Sequence, residues 1–126
     1  MAEALYTRLI PVLPVVDVLA EREFYERLGF VRFVDPDEPY PERAFAALRH
    51  GTILFGVAIA PEFDPASAEA HLWWQLEVPS LDPIYALARQ GNLDVEQPPC
   101  MESWGRRTLK LRSPNGYLVT FEEAKP

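Results

Sequence analysis

Apolar residues recur at every second position in two stretches near the end of the chain, Thr108-Leu109-Lys110-Leu111-Arg112 and Tyr117-Leu118-Val119-Thr120-Phe121. Ser113-Pro114-Asn115-Gly116 separates them. Period-two runs joined by Pro-Asn-Gly predict a β-hairpin, because Asn and Gly accept the positive φ of tight turns. Upstream, the apolar and β-branched run 8–16 predicts a strand that Pro11 and Pro14 push toward a sheet edge. Asp17 is a plausible N-cap for a helix in which Ala20, Phe24 and Leu28 share a face, and Gly29 ends it. Strands are expected over 30–34, 43–48 and 52–60, with a Pro-rich acidic loop over Asp35–Glu42 whose Tyr40 is placed to fold over a cleft. Residues 61–70 read as a linker.

The same order then restarts. His71–Val78 predicts a strand, Asp82-Pro83 caps and opens a helix with Ile84, Leu87 and Ala88 on one face, and Gly91 stops it. Leu93–Glu96 is a short strand, 97–104 a Pro-rich loop, and the hairpin completes the set. The chain is thus a doubled strand-helix-strand-strand-strand unit, with modules over 5–60 and 71–124, each about sixty residues and too small to close a core alone. The fold class is α+β, one domain over 1–126, in which two βαβββ modules form a curved, cleft-shaped mixed sheet.

Composition narrows the partners. With 126 residues and 48% hydrophobic content, the chain can bury a core of its own. The formal net charge of −7 argues against nucleic acid and anionic membranes, which call for a cationic face. A single cysteine, Cys100, excludes an intrachain disulfide and agrees with a reducing cytoplasm. No apolar run reaches the length of a membrane span, and the N-terminus lacks a basic region followed by an apolar one, so a cytosolic location is expected.

Two motifs carry a resemblance. Val-x-Asp-(x)6-Phe-Tyr-x-x-Leu-Gly-Phe, from Val15 to Phe30, and Trp104-Gly105-Arg106 followed by Ser-Pro-Asn-Gly resemble the vicinal oxygen chelate superfamily, which includes glyoxalase I, extradiol dioxygenases and the fosfomycin- and bleomycin-resistance proteins. The resemblance implies paired βαβββ modules around a cleft, commonly completed in a homodimer. It also implies a divalent metal held from four strand positions, which by spacing fall on Ile10, Gly56, Trp73 and Thr120. None of those side chains is a good metal ligand. The reading is therefore one without metal or cofactor, similar to the bleomycin-resistance proteins, whose aromatic-lined cleft between subunits sequesters a flat or cationic molecule.

Candidate site residues follow. Trp104 sits after a Pro-rich loop, where stacking on a ligand is favoured over packing the loop alone. Trp73 and Trp74 must point to opposite faces of a strand; the parity of Leu76 and Val78 puts Trp74 in the core and Trp73 in the cleft. Gln75 and Glu77 share the Trp73 face. Glu77 and Glu102 would supply charge complementarity, Arg106 an anion contact or a surface salt bridge, and Phe55 an apolar wall, although core packing is the favoured reading for it as for Phe33 and Phe45. Cys100 has no neighbouring base and reads as structural. A metal-dependent glyoxalase- or dioxygenase-like enzyme using His71 and Glu77 is the second reading. A third is an interaction module whose cleft is filled by its own side chains.

Overall fold

The computed structural model describes residues 4–34, 36, 37 and 40–125, with the side chain of His71 outside that description. Strand β1 (Val12–Val15) leads into helix α1 (Val18–Arg27), followed by β2 (Val31–Phe33), β3 (Phe45–His50) and β4 (Ile53–Ile59). A 3-10 turn (Pro65–Ser67) and a short helix α2 (Ala68–His71) connect to β5 (Trp74–Val78), α3 (Leu81–Gln90), β6 (Asp94–Met101), β7 (Arg107–Arg112) and β8 (Leu118–Glu123). The strands form two four-stranded sheets, β1-β4-β3-β2 and β5-β8-β7-β6. Each sheet pairs its first strand with its last in parallel and the others antiparallel. The doubled βαβββ unit is present, and the fold class is α+β as the periodicity predicts.

Strand alternation gives each sheet a helix side and an open side. On the first sheet Leu13, Val15, Leu48, Phe55 and Val57 are buried together with Phe24 and Tyr25 of α1 and with Leu28 just after it. On the second, Leu109, Leu111, Val119 and Phe121 do the same, with Leu76 packed against them. Each such side chain contributes roughly 1.5–3 kcal/mol by leaving water, so register is fixed on this side and the open side is free to vary. Phe33 and Phe45, expected in the core, share parity with Ala47 and Gly56 and lie on the open side of the first sheet. Their pairing across β2, β3 and β4, not their apolarity, decides that.

Two local expectations are corrected and a third is refined. The linker over 61–70 holds ordered structure in its second half: Asp64 Oδ1 accepts from the Ala66 N–H at 3.0 Å, Pro65 opens the 3-10 turn, and Ala68 is buried. The second module's helix begins at Leu81, not at Asp82-Pro83, and its first N–H donates to the Glu123 carboxylate at 3.0 Å. The stretch 97–104 is mostly strand, since β6 runs through Pro98 and Pro99 to Met101. Proline fits there because β6 is an edge strand with two register shifts against β7, so the missing amides break no continuous ladder. Of the acidic loop, Asp35, Glu38 and Pro39 lie outside the described residues.

One turn residue of the second module ties directly into the start of the first module's helix. Asn115 Oδ1 accepts from the Val16 and Asp17 N–H groups, both at 2.9 Å, while its Nδ2 donates to the Asp17 carbonyl and to Glu21 Oε1, also at 2.9 Å. The Asn115 N–H donates to the same Glu21 oxygen at 3.1 Å. Beside it the Tyr117 hydroxyl donates to the Pro14 carbonyl at 2.6 Å, and its ring stacks on Phe63. Glu21 is fully buried, and that burial raises its carboxyl above the usual 4.5, partly offset by hydrogen bonds from Asn115 and Ser113. Tyr117 is pushed up to about 12 by burial and then by the nearby Glu21.

A raised folded-state carboxyl means that the native chain holds its proton more tightly than the unfolded one. The contribution of Glu21 to stability therefore falls as pH rises from 4.5 through the raised value, then levels off. Glu21→Gln keeps an oxygen for Asn115 and has no charge to bury. Urea unfolding between about pH 4 and 8 will show the variant gaining on the wild type as pH rises. A gap independent of pH would remove Glu21 as the titrating group.

Candidate ligand cleft

The open side of the second sheet is polar because β5, β8 and β7 alternate in step. Gln75 and Glu77 pair across the sheet with Thr120 and Glu122, and Lys110 and Thr108 of β7 face the same two residues. Glu122 is held twice: Gln75 Nε2 donates to one oxygen at 2.6 Å, and the Arg106 guanidinium donates to the other at 3.1 Å. Arg106 also reaches Glu77 at 3.2 Å. Glu102 accepts from the Thr108 hydroxyl at 2.6 Å and from Gln97 at 3.4 Å, and these two donors hold its carboxyl below the usual range. Every carboxylate of this group already has a partner.

Two indoles stand over that polar floor. Trp104 lies in the turn between β6 and β7, closed by Glu102 N–H to the Arg106 carbonyl at 2.8 Å and turned by Gly105 at φ +88. Trp73 precedes β5. Together they line a cleft of about 280 Å³ with Gln75, Thr108, Lys110 and Thr120. Trp73 is 86% and Trp104 60% exposed. Trp74, on the opposite parity, packs edge-on against Phe55 with ring centroids 5.1 Å apart and also borders the cleft. Lys110 and Thr108 were not singled out by sequence reasoning, and Thr120 only as a position of the implied metal set; their alternation with Leu109, Leu111 and Phe121 in the hairpin is the signal that finds them.

The remaining expected site residues divide. Glu77 and Arg106 meet the cleft only through Glu122, and Glu102 only through Thr108. Phe55 is no wall of this cleft. It is fully buried on the first sheet among the rings of Tyr25, Phe30 and Trp74, because its parity is that of Val57 and Leu13. The first sheet has its own hollow, about 440 Å³, lined by Ile10, Phe33, Tyr40, Phe45 and Gly56. There Tyr40 rests against Phe45 at 4.7 Å, and Arg49 covers Phe33 at 4.5 Å.

The sequence matches no protein-family model and no curated protein. Solved structures are similar over nearly the whole chain. A bleomycin resistance determinant encoded on the transposon Tn5 is 21% identical, covering 96% of this chain and all of that one, with a TM-score of 0.71. The bleomycin-binding protein of Streptomyces verticillus, solved with copper(II)-bleomycin, is 23% identical over 98% of this chain and 100% of its own, with a TM-score of 0.68. A glyoxalase/bleomycin resistance protein/dioxygenase from Alicyclobacillus acidocaldarius reaches 0.75 at 17% identity, covering 94% and 91%. The chain has the glyoxalase/bleomycin-resistance fold.

That fold commonly houses a divalent metal, and the residues here do not fit one. Across the sheet from Gly56 and Thr120 stand Val12 and Gln75, two positions along from Ile10 and Trp73. Of all six, only Gln75 has a carbonyl donor, and Thr120 offers a neutral hydroxyl. A Cβ at position 56 would lie 2.8 Å from the Phe45 ring, so the ring fills the space a donor side chain would need. Among the described residues no three His, Cys, Asp or Glu side chains gather to hold a metal. His71, the suspected displaced ligand, has its side chain outside the described residues, and its suspected companion Glu77 is paired with Arg106. Titration of Ni²⁺, Zn²⁺ or Mn²⁺ into the purified protein will leave tryptophan fluorescence unchanged and release no heat of stoichiometric binding. One tightly held ion per chain would overturn the misfit.

Proposed function

We propose that the protein binds a flat small molecule between Trp73 and Trp104 and acts by reversible, metal-independent binding. The observation that carries this reading is the pair of exposed indoles on one cleft above a floor of hydroxyl and amide groups. Indole faces exposed to water gain free energy by covering an aromatic ring, and the polar floor supplies orientation. Structures of bleomycin-binding proteins with the same fold support the reading at the level of architecture. The enzyme alternative requires a set of donors, and no such set forms among the described residues.

A homodimer belongs to the same proposal. The open side of the first sheet exposes Val12, Val31 and Phe33, with Ile10 and Tyr40 beside them, whereas that of the second is polar. A second copy would cover the apolar side and deepen the cleft. Sedimentation equilibrium will give twice the chain mass, and Phe33→Asp will shift it toward the monomer. A wild-type monomer at high concentration would remove this part of the proposal.

Calorimetric titration with naphthalene-2-carboxamide, a neutral planar probe, tests the cleft itself. Trp104→Ala and Trp73→Ala will each weaken binding by about tenfold, while Trp-free changes on the first sheet's helix side will affect stability only. Equal affinity in wild type and both variants would move the ligand elsewhere.

A further inference from the structure

Around the cleft carboxylates outnumber cations, since Arg106 and Arg112 are each shared by two of them, yet among the described residues the one charged side chain in its lining without an ion pair is positive. Three charged residues line it: Glu69, Lys110 and Glu122. Glu122 is paired with Arg106 at 3.1 Å and accepts from Gln75. Glu69 is paired with Arg112 at 3.2 Å, and Arg112 takes Glu96 with its other nitrogen at 3.1 Å. Glu102, at the rim, is occupied by Thr108 and Gln97 and meets Lys110 only through space. Among the described residues Lys110 forms no ion pair and lies over no aromatic ring. Its position is set by β7, an interior strand, so it rises from the cleft floor between Gln97 and Thr120.

A cationic ligand would have to break one of these pairs to find a carboxylate, and would meet the Lys110 ammonium beside it. An anionic group meets an ammonium that no ion pair holds and breaks no existing pair to reach it. Of the carboxylates behind the overall charge of −7, those in the cleft wall, Glu69 and Glu122, are each paired with an arginine, and those beyond the Debye length of about 8 Å are screened at physiological salt. Resting on the reading of the cleft as an aromatic binding site, we propose that its ligand is a planar aromatic acid, with a carboxylate, sulfonate or acidic phenol paired to Lys110 and the hydroxyl of Thr120 donating to the same group, the Thr108 hydroxyl being taken by Glu102. The geometry favours the bond: N⁺–H···O⁻ contacts are the shorter and stronger hydrogen bonds.

Three probes with one ring system separate the outcomes: 2-naphthoate, naphthalene-2-carboxamide and 2-naphthamidine, titrated calorimetrically into the full-length protein. The naphthoate will bind about tenfold more tightly than the neutral amide, and the amidine most weakly. Lys110→Met will abolish the preference for the acid, read as the ratio of naphthoate to amide affinity, and Lys110→Arg will retain it. The ranking of probes on the wild-type protein needs no variant, so a Lys110→Met that folds poorly does not blunt the test. If the amidine binds as well as the naphthoate, or Lys110→Met leaves the naphthoate unaffected, the ligand class is wrong while the aromatic cleft stands, as a loss of all three affinities in Trp104→Ala would show. If none of the three binds, both the ligand class and the cleft reading fall.

Discussion

The amide of Asn115 is the constraint on which the arrangement of the two modules depends. It stands in the last turn of the second module yet satisfies two backbone N–H groups at the start of α1 in the first, and it returns a hydrogen bond to the Asp17 carbonyl and the Glu21 carboxylate. A primary amide has two donors and one oxygen with two lone pairs, and all four are used. The next residue is equally confined. A side chain on Gly116 would run into the Pro65 carbonyl, so the connector between the modules lies directly on the turn that joins them. The contact is local in space and nearly a hundred residues apart in sequence. Closing it is what fixes how the second sheet sits against the first.

With the helix sides buried, the two open sides have diverged from the same plan. Equivalent pairs, Val12 with Gly56 and Gln75 with Thr120, occupy the same register in the two sheets. One is apolar and backed by the Phe45 ring; the other is a hydrogen-bonding floor beside two indoles. At this pair of positions the hydrogen-bonding groups thus fall on one copy of a repeated unit.

Much of this was legible in the sequence, and the reason is period. Two-residue alternation in the hairpin and four-residue spacing in α1 give elements whose burial follows directly, and strand parity alone separates Trp74, packed on Phe55, from Trp73. The misplaced elements are those where one signal has two physical meanings. Asp64-Pro65 and Asp82-Pro83 look alike, yet the first starts a helical turn and the second sits inside a first turn whose leading N–H is met by Glu123 from another strand. Prolines 98 and 99 interrupt an interior strand but not an edge with bulges, and edge position is a property of the sheet. Lys110 was invisible for a similar reason. Whether a lysine is free depends on which carboxylates other arginines have taken, and those arginines arrive from distant positions.

The contact between position 56 and Phe45 has an implication for how the first sheet's hollow can change. A carboxylate or imidazole at 56 and an aromatic ring at 45 compete for one volume, and the ring in turn rests against Tyr40. A donor at 56 requires the Phe45 ring to move, and a smaller residue at 45 takes away the ring that Tyr40 packs on. A route from this sequence to a metal-binding one therefore runs through these two positions together.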